Sequence, residues 1–348
     1  MYEKIELDEI LLEITSRCNL NCKHCFNRPG DNAVDMSLDD INRIINKCLK
    51  HGLKKVALSG GEPLVHPQIK EIIQNCKNYP DITFTITTNG LLLNKEFIDL
   101  MRPIPNIELQ ISIDGTTKEI YEATRGENTF SQFYKGFLLM AKSKIKTLIS
   151  RTCITKLNYK NVSEIYKMSL DNKMTPSFIF ITPQGNAVEN MEDFSLTLAQ
   201  KIHAIDTINR LNEQYNISIP PPSAANRCDF AEDLQRKALL IKSDGNVAPC
   251  QFYYDGIIGN ILESDVEQIL TLDNEILKEL YVKGKKRKEK LCKTKKCKEC
   301  KLKPVCLMGC MGLALELGNE MGLDGECNFK ICLESCYANK IIKTERQV

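Results

Sequence analysis

Residues 10–26 read ILLEITSRCNLNCKHCF, an apolar run that leads into three cysteines within eight residues. Ile10–Thr15 has the length and apolar content of a buried strand, and Cys18, Cys22 and Cys25 follow it in a C-x3-C-x2-C loop. In parallel α/β proteins, functional side chains gather on loops at the carboxyl ends of strands. This stretch therefore predicts an α/β fold that begins with a strand and carries its chemistry on the first loop.

Apolar runs alternate with helical periodicity through the first half of the chain, which indicates repeated strand-helix units around a parallel sheet. Six such units are too few for a closed eight-stranded barrel. We therefore predict a partial (β/α)6 TIM-like barrel. After the first strand, the predicted strands are Lys55–Ser59, Ile82–Thr87, Ile107–Ile113, Thr147–Ile154 and Pro176–Thr182.

The sixteen cysteines are spread unevenly, with six in residues 1–227 and ten in residues 228–348. A chain of 348 residues also exceeds the usual size of a single core. We therefore predict a barrel domain over residues 1–225 and a smaller C-terminal cysteine-rich domain over residues 226–348.

The cysteine content also bears on location. The N-terminus has no apolar signal segment, and no stretch approaches the ~20 apolar residues that span a bilayer. Cytosolic thiols are kept reduced and rarely form structural disulfides. We therefore expect a cytoplasmic protein, without membrane association, whose cysteines bind metal or iron-sulfur clusters.

Three thiolates in the first loop can hold three corners of a four-iron cluster and leave the fourth iron for another ligand. The alternative is a zinc site, which usually takes four ligands and for which His24 is the nearby candidate. Phe26 follows the third cysteine. With Phe26, the loop resembles the signature of the radical S-adenosylmethionine (SAM) superfamily.

Further motifs come in the order found in that superfamily. Ser59-Gly60-Gly61-Glu62-Pro63 follows the second predicted strand, Thr87-Thr88-Asn89-Gly90 ends the third, and Ser112-Ile113-Asp114-Gly115 ends the fourth. The resemblance implies SAM and a catalytic [4Fe-4S] cluster on Cys18, Cys22 and Cys25. It also implies reductive cleavage of SAM to a 5′-deoxyadenosyl radical, which abstracts hydrogen from a substrate.

The resemblance also implies a SAM-binding set. Glycine lets the backbone approach a ligand closely, and the family's glycine-rich turn receives the SAM amino group. Ser112 and Arg125 are candidates for the ribose or carboxylate, although a surface ion pair is the alternative for Arg125. Asp114 has the alternative role of capping the next helix. The full set is Phe26, Gly60, Gly61, Glu62, Pro63, Asn89, Ser112, Asp114 and Arg125.

The C-terminal cysteines resemble the SPASM domain, which implies one or two auxiliary [4Fe-4S] clusters. A zinc-ribbon-like fold is the alternative. By resemblance, Cys228, Cys250 and Cys310 hold the first auxiliary cluster, and Cys297, Cys300, Cys306 and Cys327 hold the second. The fold class that we predict is thus a partial barrel followed by a smaller iron-sulfur domain.

Two departures from the related sulfatase maturases affect this interpretation. Those proteins carry another cysteine shortly before the position of Cys228, where this chain has Pro221-Pro222-Ser223. The first auxiliary cluster then keeps an open iron or takes a ligand from Cys292, Cys332 or Cys336. The maturases also place a basic aspartate after the position of Cys250. Gln251 stands here and cannot act as a base, which disfavours formylglycine formation.

Residues 283–303 contain twelve Lys or Arg and two Glu. One interpretation is a solvated loop that offsets the charge of the clusters, and the other is a surface for an acidic peptide or nucleic acid. No aromatic side chains are interleaved there to stack on bases. Nucleic acid is therefore not an expected partner.

The function that the resemblance favours is modification of a peptide or protein side chain, as in maturation of a ribosomally made peptide by crosslinking, epimerisation or oxidation. The alternatives are a small molecule such as a tetrapyrrole or cofactor precursor, formylglycine formation, and a non-catalytic metal-binding scaffold. The expected reductant is a ferredoxin or flavodoxin. Because the first strand begins about ten residues from Met1, we expect no N-terminal leader-binding domain. A leader peptide would then bind the barrel, the basic segment or a separate leader-binding protein.

Overall fold

The alternation of strands and helices predicted for the first half of the chain is present, and all six predicted strands agree within two residues at each end. The structure is a computed structural model that describes residues 6–27, 33–220, 222, 238–271 and 273–293. The strands are β1 (Glu9–Thr15), β2 (Lys55–Gly60), β3 (Thr83–Thr88), β4 (Ile107–Ser112), β5 (Thr147–Ile154), β6 (Thr175–Phe180), β7 (Ala238–Ile241), β8 (Asn246–Ala248) and β9 (Gly259–Asn260).

Helices connect the strands, and short 3₁₀ turns occupy Pro63–Val65, Cys76–Asn78 and Tyr159–Asn161. The α-helices are α1 (Leu38–Leu49), α2 (Ile69–Asn75), α3 (Lys95–Met101), α4 (Lys118–Arg125), α5 (Phe130–Ala141), α6 (Val162–Asp171), α7 (Ala187–Phe194), α8 (Leu198–Tyr215), α9 (Val266–Ile269) and α10 (Glu275–Lys293).

Helix α1 illustrates why these segments fold as they do. The hydroxyl of Ser37 accepts a hydrogen bond from the backbone N–H of Asp40 and caps the first turn. Ile41, Ile44 and Cys48 are buried at a spacing of three and four residues, which forms one apolar stripe. That stripe belongs to the same core as the apolar side chains of β1.

The nine strands of the described residues form one sheet in the order β6-β5-β4-β3-β2-β1-β7-β8-β9. Strands β1 to β6 are parallel, and each connecting segment contains a helix. Strand β7 pairs in parallel with the other side of β1, and β8 and β9 follow antiparallel. The predicted α/β partial barrel is confirmed, and it continues into strands from the region predicted as the second domain.

The two faces of this sheet differ in chemistry. Ile10, Leu12 and Ile14 of β1 are fully buried in the core shared with the helices. Successive side chains along a strand point to opposite faces of the sheet. Apolar and polar residues alternate in these strands, so the opposite face, which we call the inner face, carries mostly polar side chains. The polar members of the inner face include Glu9, Glu13, Lys55, Ser59, Thr85, Thr87, Glu108, Gln110, Ser112, Arg151 and Ser177.

The segment after β9 is held against α1 of the barrel. Lys47 donates to the carbonyl oxygens of Ile261 and Ser264 at 2.9 and 2.8 Å. Arg43 donates to the carbonyl oxygen of Leu262 at 3.1 Å. These contacts fix the β7–β9 segment to the barrel independently of the sheet.

The basic segment begins inside a helix. Residues 283–293 belong to α10, so the predicted loop is wrong for that part, and Lys283 pairs with Glu279 one turn earlier. Residues 294–303 lie outside the described residues. Among the described helices, none combines the length and apolar character that crossing a membrane requires.

Candidate active site

The sequence motifs meet at one edge of the sheet. The cysteine loop follows β1, the Gly60-to-Pro63 turn follows β2, Asn89 follows β3 and Asp114 follows β4. Since these four strands are parallel and adjacent, their carboxyl ends lie side by side. The structure therefore brings the four predicted segments together at the functional edge of the barrel.

The thiol of Cys22 is buried, and those of Cys18 and Cys25 are half-buried. Burial raises the pKa of Cys18 to about 11 and that of Cys25 to about 12, and the neighbouring Cys22 raises both further. Burial also raises the pKa of Cys22, which is 9% exposed. The backbone N–H of Leu20 donates to Cys18 Sγ at 3.4 Å. Burial thus favours the thiol form of all three, and because metal ligation requires thiolates, metal binding here should release protons.

A buried ion pair anchors the cysteine loop to β4 and α4. Arg125 Nε donates to Asp114 Oδ2 at 2.6 Å, and His24 Nε2 lies 3.0 Å from the same oxygen. The backbone N–H of Cys153 donates to Asp114 Oδ1 at 2.9 Å. Burial alone raises the pKa of Asp114, but Arg125 and His24 outweigh it and hold that pKa well below the usual range.

These contacts correct two alternatives from the sequence. Asp114 does not cap α4, because the hydroxyl of Thr117 accepts the hydrogen bond from the backbone N–H of Ile120. Arg125 is not in a surface ion pair, since its side chain is 10% exposed and that of Asp114 is 1% exposed. Both residues belong to the buried wall of the site.

Glu62 is fully buried and ties the ends of β2 and β3 together. Its Oε1 accepts from the hydroxyl of Thr88 at 2.7 Å and from the backbone N–H of Leu64 at 3.1 Å. Its Oε2 accepts from the backbone N–H of Asn89 at 2.7 Å. Burial raises the pKa of Glu62 in spite of these bonds. Pro63 begins the 3₁₀ turn that follows.

The two glycines before Glu62 face the protein's own backbone. A Cβ on Gly60 would lie 2.1 Å from the carbonyl oxygen of Thr15, and one on Gly61 would lie 2.0 Å from that of Arg17. The glycines are therefore needed to pack this turn against the start of the cysteine loop. The sequence had attributed them to close approach of a ligand.

The remaining predicted residues lie around this wall. Asn89 Nδ2 donates to Asn19 Oδ1 in the cysteine loop at 2.7 Å. Ser112 ends β4 on the inner face, beside Arg151 of β5. The ring of Phe26 is half-buried and meets the ring of Tyr254 edge-on, with 6.4 Å between the ring centroids.

The loop after β6 also holds the cysteine loop, and the sequence analysis missed it. The backbone N–H of Asn186 donates to the carbonyl oxygen of Cys25 at 2.9 Å, and its Nδ2 donates to Asn21 Oδ1 at 3.0 Å. A Cβ on Gly185 would lie 2.4 Å from the carbonyl oxygen of Phe26. One feature of the sequence could have identified this loop. It follows a predicted strand and so leaves the same edge of the sheet as the predicted motifs.

Cys250 is the one auxiliary-cluster candidate whose side chain the structure describes, and it is half-buried. Its loop reaches the barrel through Gln184, whose Nε2 donates to the carbonyl oxygen of Gln251 at 3.0 Å. Six predicted auxiliary ligands lie outside the described residues, namely Cys228, Cys297, Cys300, Cys306, Cys310 and Cys327. The side chain of Cys292 and residues Cys332 and Cys336 also lie outside them.

Comparison with known families agrees with this arrangement. The profile of the radical SAM superfamily matches residues 12–169. The profile of the iron-sulfur cluster-binding domain named SPASM matches residues 228–301. The chain contains a radical SAM domain and a SPASM domain. The first match contains the cysteine loop, and the second contains Cys250.

Two relatives by sequence are GTP 3′,8-cyclases. The chain is 26% identical over 271 residues to a GTP 3′,8-cyclase of Clostridium perfringens, which covers 72% of this chain and 83% of that protein. It is 25% identical over 304 residues to a GTP 3′,8-cyclase of Aliarcobacter butzleri, covering 80% and 92%. Both alignments extend well beyond the barrel motifs.

Solved structures of similar fold carry different names. Streptococcus suis SuiB bound to S-adenosylmethionine has a TM-score of 0.72 at 19% identity, covering 93% of this chain and 77% of SuiB. The structure of anSMEcpe with bound AdoMet and Cp18Cys peptide has a TM-score of 0.70 at 20% identity, covering 97% and 98%. At these identities the comparison establishes the fold.

The two domains imply SAM and [4Fe-4S] clusters as cofactors. The donor atoms of the cysteine loop fit an iron-sulfur cluster. Its donors are three desolvated thiols, and the backbone of Leu20 already donates to one sulfur. His24 Nδ1 is buried and finds no hydrogen-bond partner among the described residues. Within the described ranges, no three His, Cys, Asp or Glu side chains are gathered closely enough for a single metal ion.

Proposed function

We propose that this radical SAM enzyme modifies a side chain of a peptide or protein, by crosslinking, epimerisation or oxidation during peptide maturation. The observation that carries the proposal is the fold shared with anSMEcpe over 97% of this chain, because that structure holds the Cp18Cys peptide. SuiB, of similar fold, has been crystallised with the precursor peptide SuiA at a TM-score of 0.71. These two proteins support a peptide substrate for this chain.

The second candidate is a small molecule, and the GTP 3′,8-cyclase relatives favour it. The charges on the inner face argue against a nucleoside triphosphate. The described strands place Glu9, Glu13 and Glu108 there against Lys55 and Arg151. Lys55 Nζ is also 3.3 Å from Glu108 Oε2. Polyphosphates are bound by clusters of uncompensated Arg and Lys or by helix N-termini, and this mixed surface suits a peptide better.

We assign the cofactor contacts by residue. In this proposal the thiolates of Cys18, Cys22 and Cys25 hold three irons of the catalytic cluster, and SAM takes the fourth. When bound, the two supply a 5′-deoxyadenosyl radical that removes hydrogen from the substrate. Asp114 orients Arg125, whose other guanidinium nitrogens meet the SAM carboxylate. The remaining SAM contacts in the proposal are Phe26, Gly60, Gly61, Glu62, Pro63, Asn89 and Ser112.

The SPASM domain completes the proposal. We assign Cys228, Cys250 and Cys310 to the first auxiliary cluster, and the remaining SPASM cysteines named above to the second. We place the domain boundary at residues 225 and 226. A cytoplasmic location follows from the load of reduced thiols. A ferredoxin or flavodoxin supplies electrons in this proposal.

The experiment offers both substrate classes to the same enzyme. Anaerobically reconstituted protein is given SAM and dithionite with either GTP or a pool of synthetic peptides that presents all twenty side chains. We expect masses of particular peptides to change together with 5′-deoxyadenosine release, and GTP to remain intact. Consumption of GTP without peptide modification would reverse the proposal. The variant Glu71→Gln, on the exposed side of α2, is purified and reconstituted in the same way as a control for these steps.

A further inference from the structure

A second acidic side chain is buried beside the cysteine loop. Glu13 lies on β1, five residues before Cys18, and is 2% exposed. It projects from the inner face, whereas its neighbours Leu12 and Ile14 enter the core. The strand register with β2 shifts directly after Glu13. Such irregularities commonly re-aim side chains next to active sites.

Hydrogen bonds connect Glu13 to both cysteine-bearing loops. The hydroxyl of Tyr254 donates to Glu13 Oε2 at 2.9 Å, and Tyr254 lies four residues after Cys250. Asn27 Nδ2 donates to Glu13 Oε1 at 3.3 Å, and Asn27 lies two residues after Cys25. The hydroxyl of Tyr254 is also 3.2 Å from Asn27 Oδ1. Glu13, Tyr254 and Asn27 thus form a closed triangle, which we call the Glu13 triangle.

The charged groups around the triangle are few. Burial raises the pKa of Glu13 to about 7, a rise that Asp244 adds to and that Tyr254 and Lys242 partly offset. Lys242 Nζ lies over the Tyr254 ring at 3.7 Å and pairs with Asp255 at 3.9 Å. Burial and the adjacent Glu13, Asp244 and Asp255 raise the pKa of Tyr254. Glu13 is therefore the member of the triangle that changes its protonation state near neutral pH.

The triangle can hold one extra proton without losing a hydrogen bond. When Glu13 is ionised, the Tyr254 hydroxyl donates to its Oε2. When Glu13 is protonated, its O–H donates to Tyr254 Oη, and the Tyr254 hydroxyl turns to Asn27 Oδ1. The bond from Asn27 Nδ2 is present in both states. Because a buried polar group that loses its partner is costly, this pairing in both states makes proton uptake inexpensive.

We propose that the Glu13 triangle is a proton relay for the substrate, with Tyr254 as the group that touches it and Glu13 as the acceptor behind it. The bond between a proton and a substrate sulfur or oxygen breaks, and its electron pair stays on that atom. The proton passes to Tyr254 Oη as the Tyr254 proton passes to Glu13. No oxidant is needed for this step, and Glu13 later releases the proton to solvent.

Two observations favour this role over a purely structural one. Tyr254 is the partly buried member of the triangle, whereas Glu13 and Asn27 are buried. The triangle also lies between the two cysteine-bearing loops, since Asn27 follows Cys25 and Tyr254 follows Cys250. The inference relies on the proposed peptide function only for the nature of the substrate group, a side-chain thiol or hydroxyl.

The first test needs no substrate. Infrared spectra of the anaerobic holoenzyme are recorded across neutral pH for the wild type, Glu13→Gln and the control Glu71→Gln. We expect a protonated-carboxyl band that disappears with a midpoint near pH 7, persists in the control and is absent from Glu13→Gln. Tyr254→Phe should raise the midpoint, because its hydrogen bond favours the ionised form. If Glu13→Gln removes no titrating band, the proposal is overturned whatever the substrate is.

The second test follows turnover with a peptide that the wild type modifies. Proton transfer of this kind contributes about a hundredfold or more, so Glu13→Gln and Tyr254→Phe should lose that much product while still cleaving SAM. Glu13→Asp should restore part of the rate with a shifted pH profile. Tyr134→Phe, on the exposed surface of α5, should match the wild type. Equal product from Glu13→Gln, or parallel loss of SAM cleavage and iron, would contradict a relay.

The two tests separate the two proposals. If no peptide in the pool is modified, the peptide function fails while the infrared titration still decides whether the triangle takes up a proton. If peptides are modified and Glu13→Gln modifies them equally well, the relay fails while the peptide function stands.

Discussion

The loop around Cys25 and the loop around Cys250 lie near each other but are held in different ways. The first is held by many contacts, which include the backbone carbonyl oxygen of Cys25 that accepts from Asn186 and the buried side chain of His24 that meets Asp114. The second reaches the barrel through the side chains of Gln184 and Tyr254. The barrel therefore holds the first loop through many contacts. Among the described residues, it holds the second mainly through two side chains.

This difference has a functional consequence. A loop fixed by many buried contacts keeps a cofactor in one position relative to the strands, which radical chemistry at one C–H bond requires. A loop held by side chains can vary with the substrate while the frame stays constant. We expect the first loop to determine whether SAM is cleaved and the second to influence what is modified.

The largest expected effect is the loss of SAM cleavage when the first loop loses its cysteines, which the second loop should not reproduce. Replacing Cys18, Cys22 and Cys25 together by Ala should remove about four irons and abolish 5′-deoxyadenosine formation. Cys250→Ala should lower the iron content and product formation while most SAM cleavage persists. Iron assay and chromatography of 5′-deoxyadenosine measure both outcomes. Cys48→Ala, a buried thiol of α1, is the control. SAM cleavage by the triple variant would refute our assignment of the catalytic loop.

The next effect tests the frame of the first loop. Asp114→Asn leaves the buried Arg125 guanidinium without its charge partner, which should destabilise the fold by about 3–5 kcal/mol. The native pKa of Asp114 is lowered, so its contribution is complete above the ordinary value of about 3.9 and is lost as the pH falls below it. Urea unfolding at neutral and acidic pH measures the stability lost in Asp114→Asn and the pH dependence of that loss. Asp99→Asn, which breaks the exposed pair with Arg102, should cost little. Equal losses for the two variants would show that burial adds nothing.

The smallest effect compares the two loops directly. Asn186→Ala and Gln184→Ala each remove side-chain hydrogen bonds worth about 1 kcal/mol, or about fivefold in a rate. Asn186→Ala should speed iron release to a chelator from the catalytic site and slow SAM cleavage. Gln184→Ala should speed release while SAM cleavage stays unchanged. If both variants lowered SAM cleavage equally, the two loops would not differ as we describe.

The sequence predicted the six barrel strands because their apolar runs are local and bounded by clear turns. It did not predict that β7 pairs with β1, since a four-residue strand carries little pattern and its partner is far away in the chain. It also passed over Glu13, which looked like one polar residue within an apolar strand. Only the alternation of faces in the folded sheet turns that residue toward the site.

The positions of single motif residues were easier to predict than the contacts that those residues make. Gly60, Gly61 and Asp114 do lie at the predicted edge, yet the contacts they make there are with the protein's own cysteine loop. A motif shows which residue types are needed at a spacing. It does not show whether a ligand or the neighbouring backbone is what they face.

The sequence by itself predicted the radical SAM and SPASM domains and the barrel class, and it proposed three cysteines as the catalytic ligands, because each inference depends on residues a few positions apart. The tertiary structure alone decided that His24 meets Asp114 and that Glu13 meets Tyr254, a pair separated by 241 residues. The physical reason is that spacing along the chain fixes local geometry and ligand chemistry. Contacts between distant residues arise only when the sheet and its loops pack together.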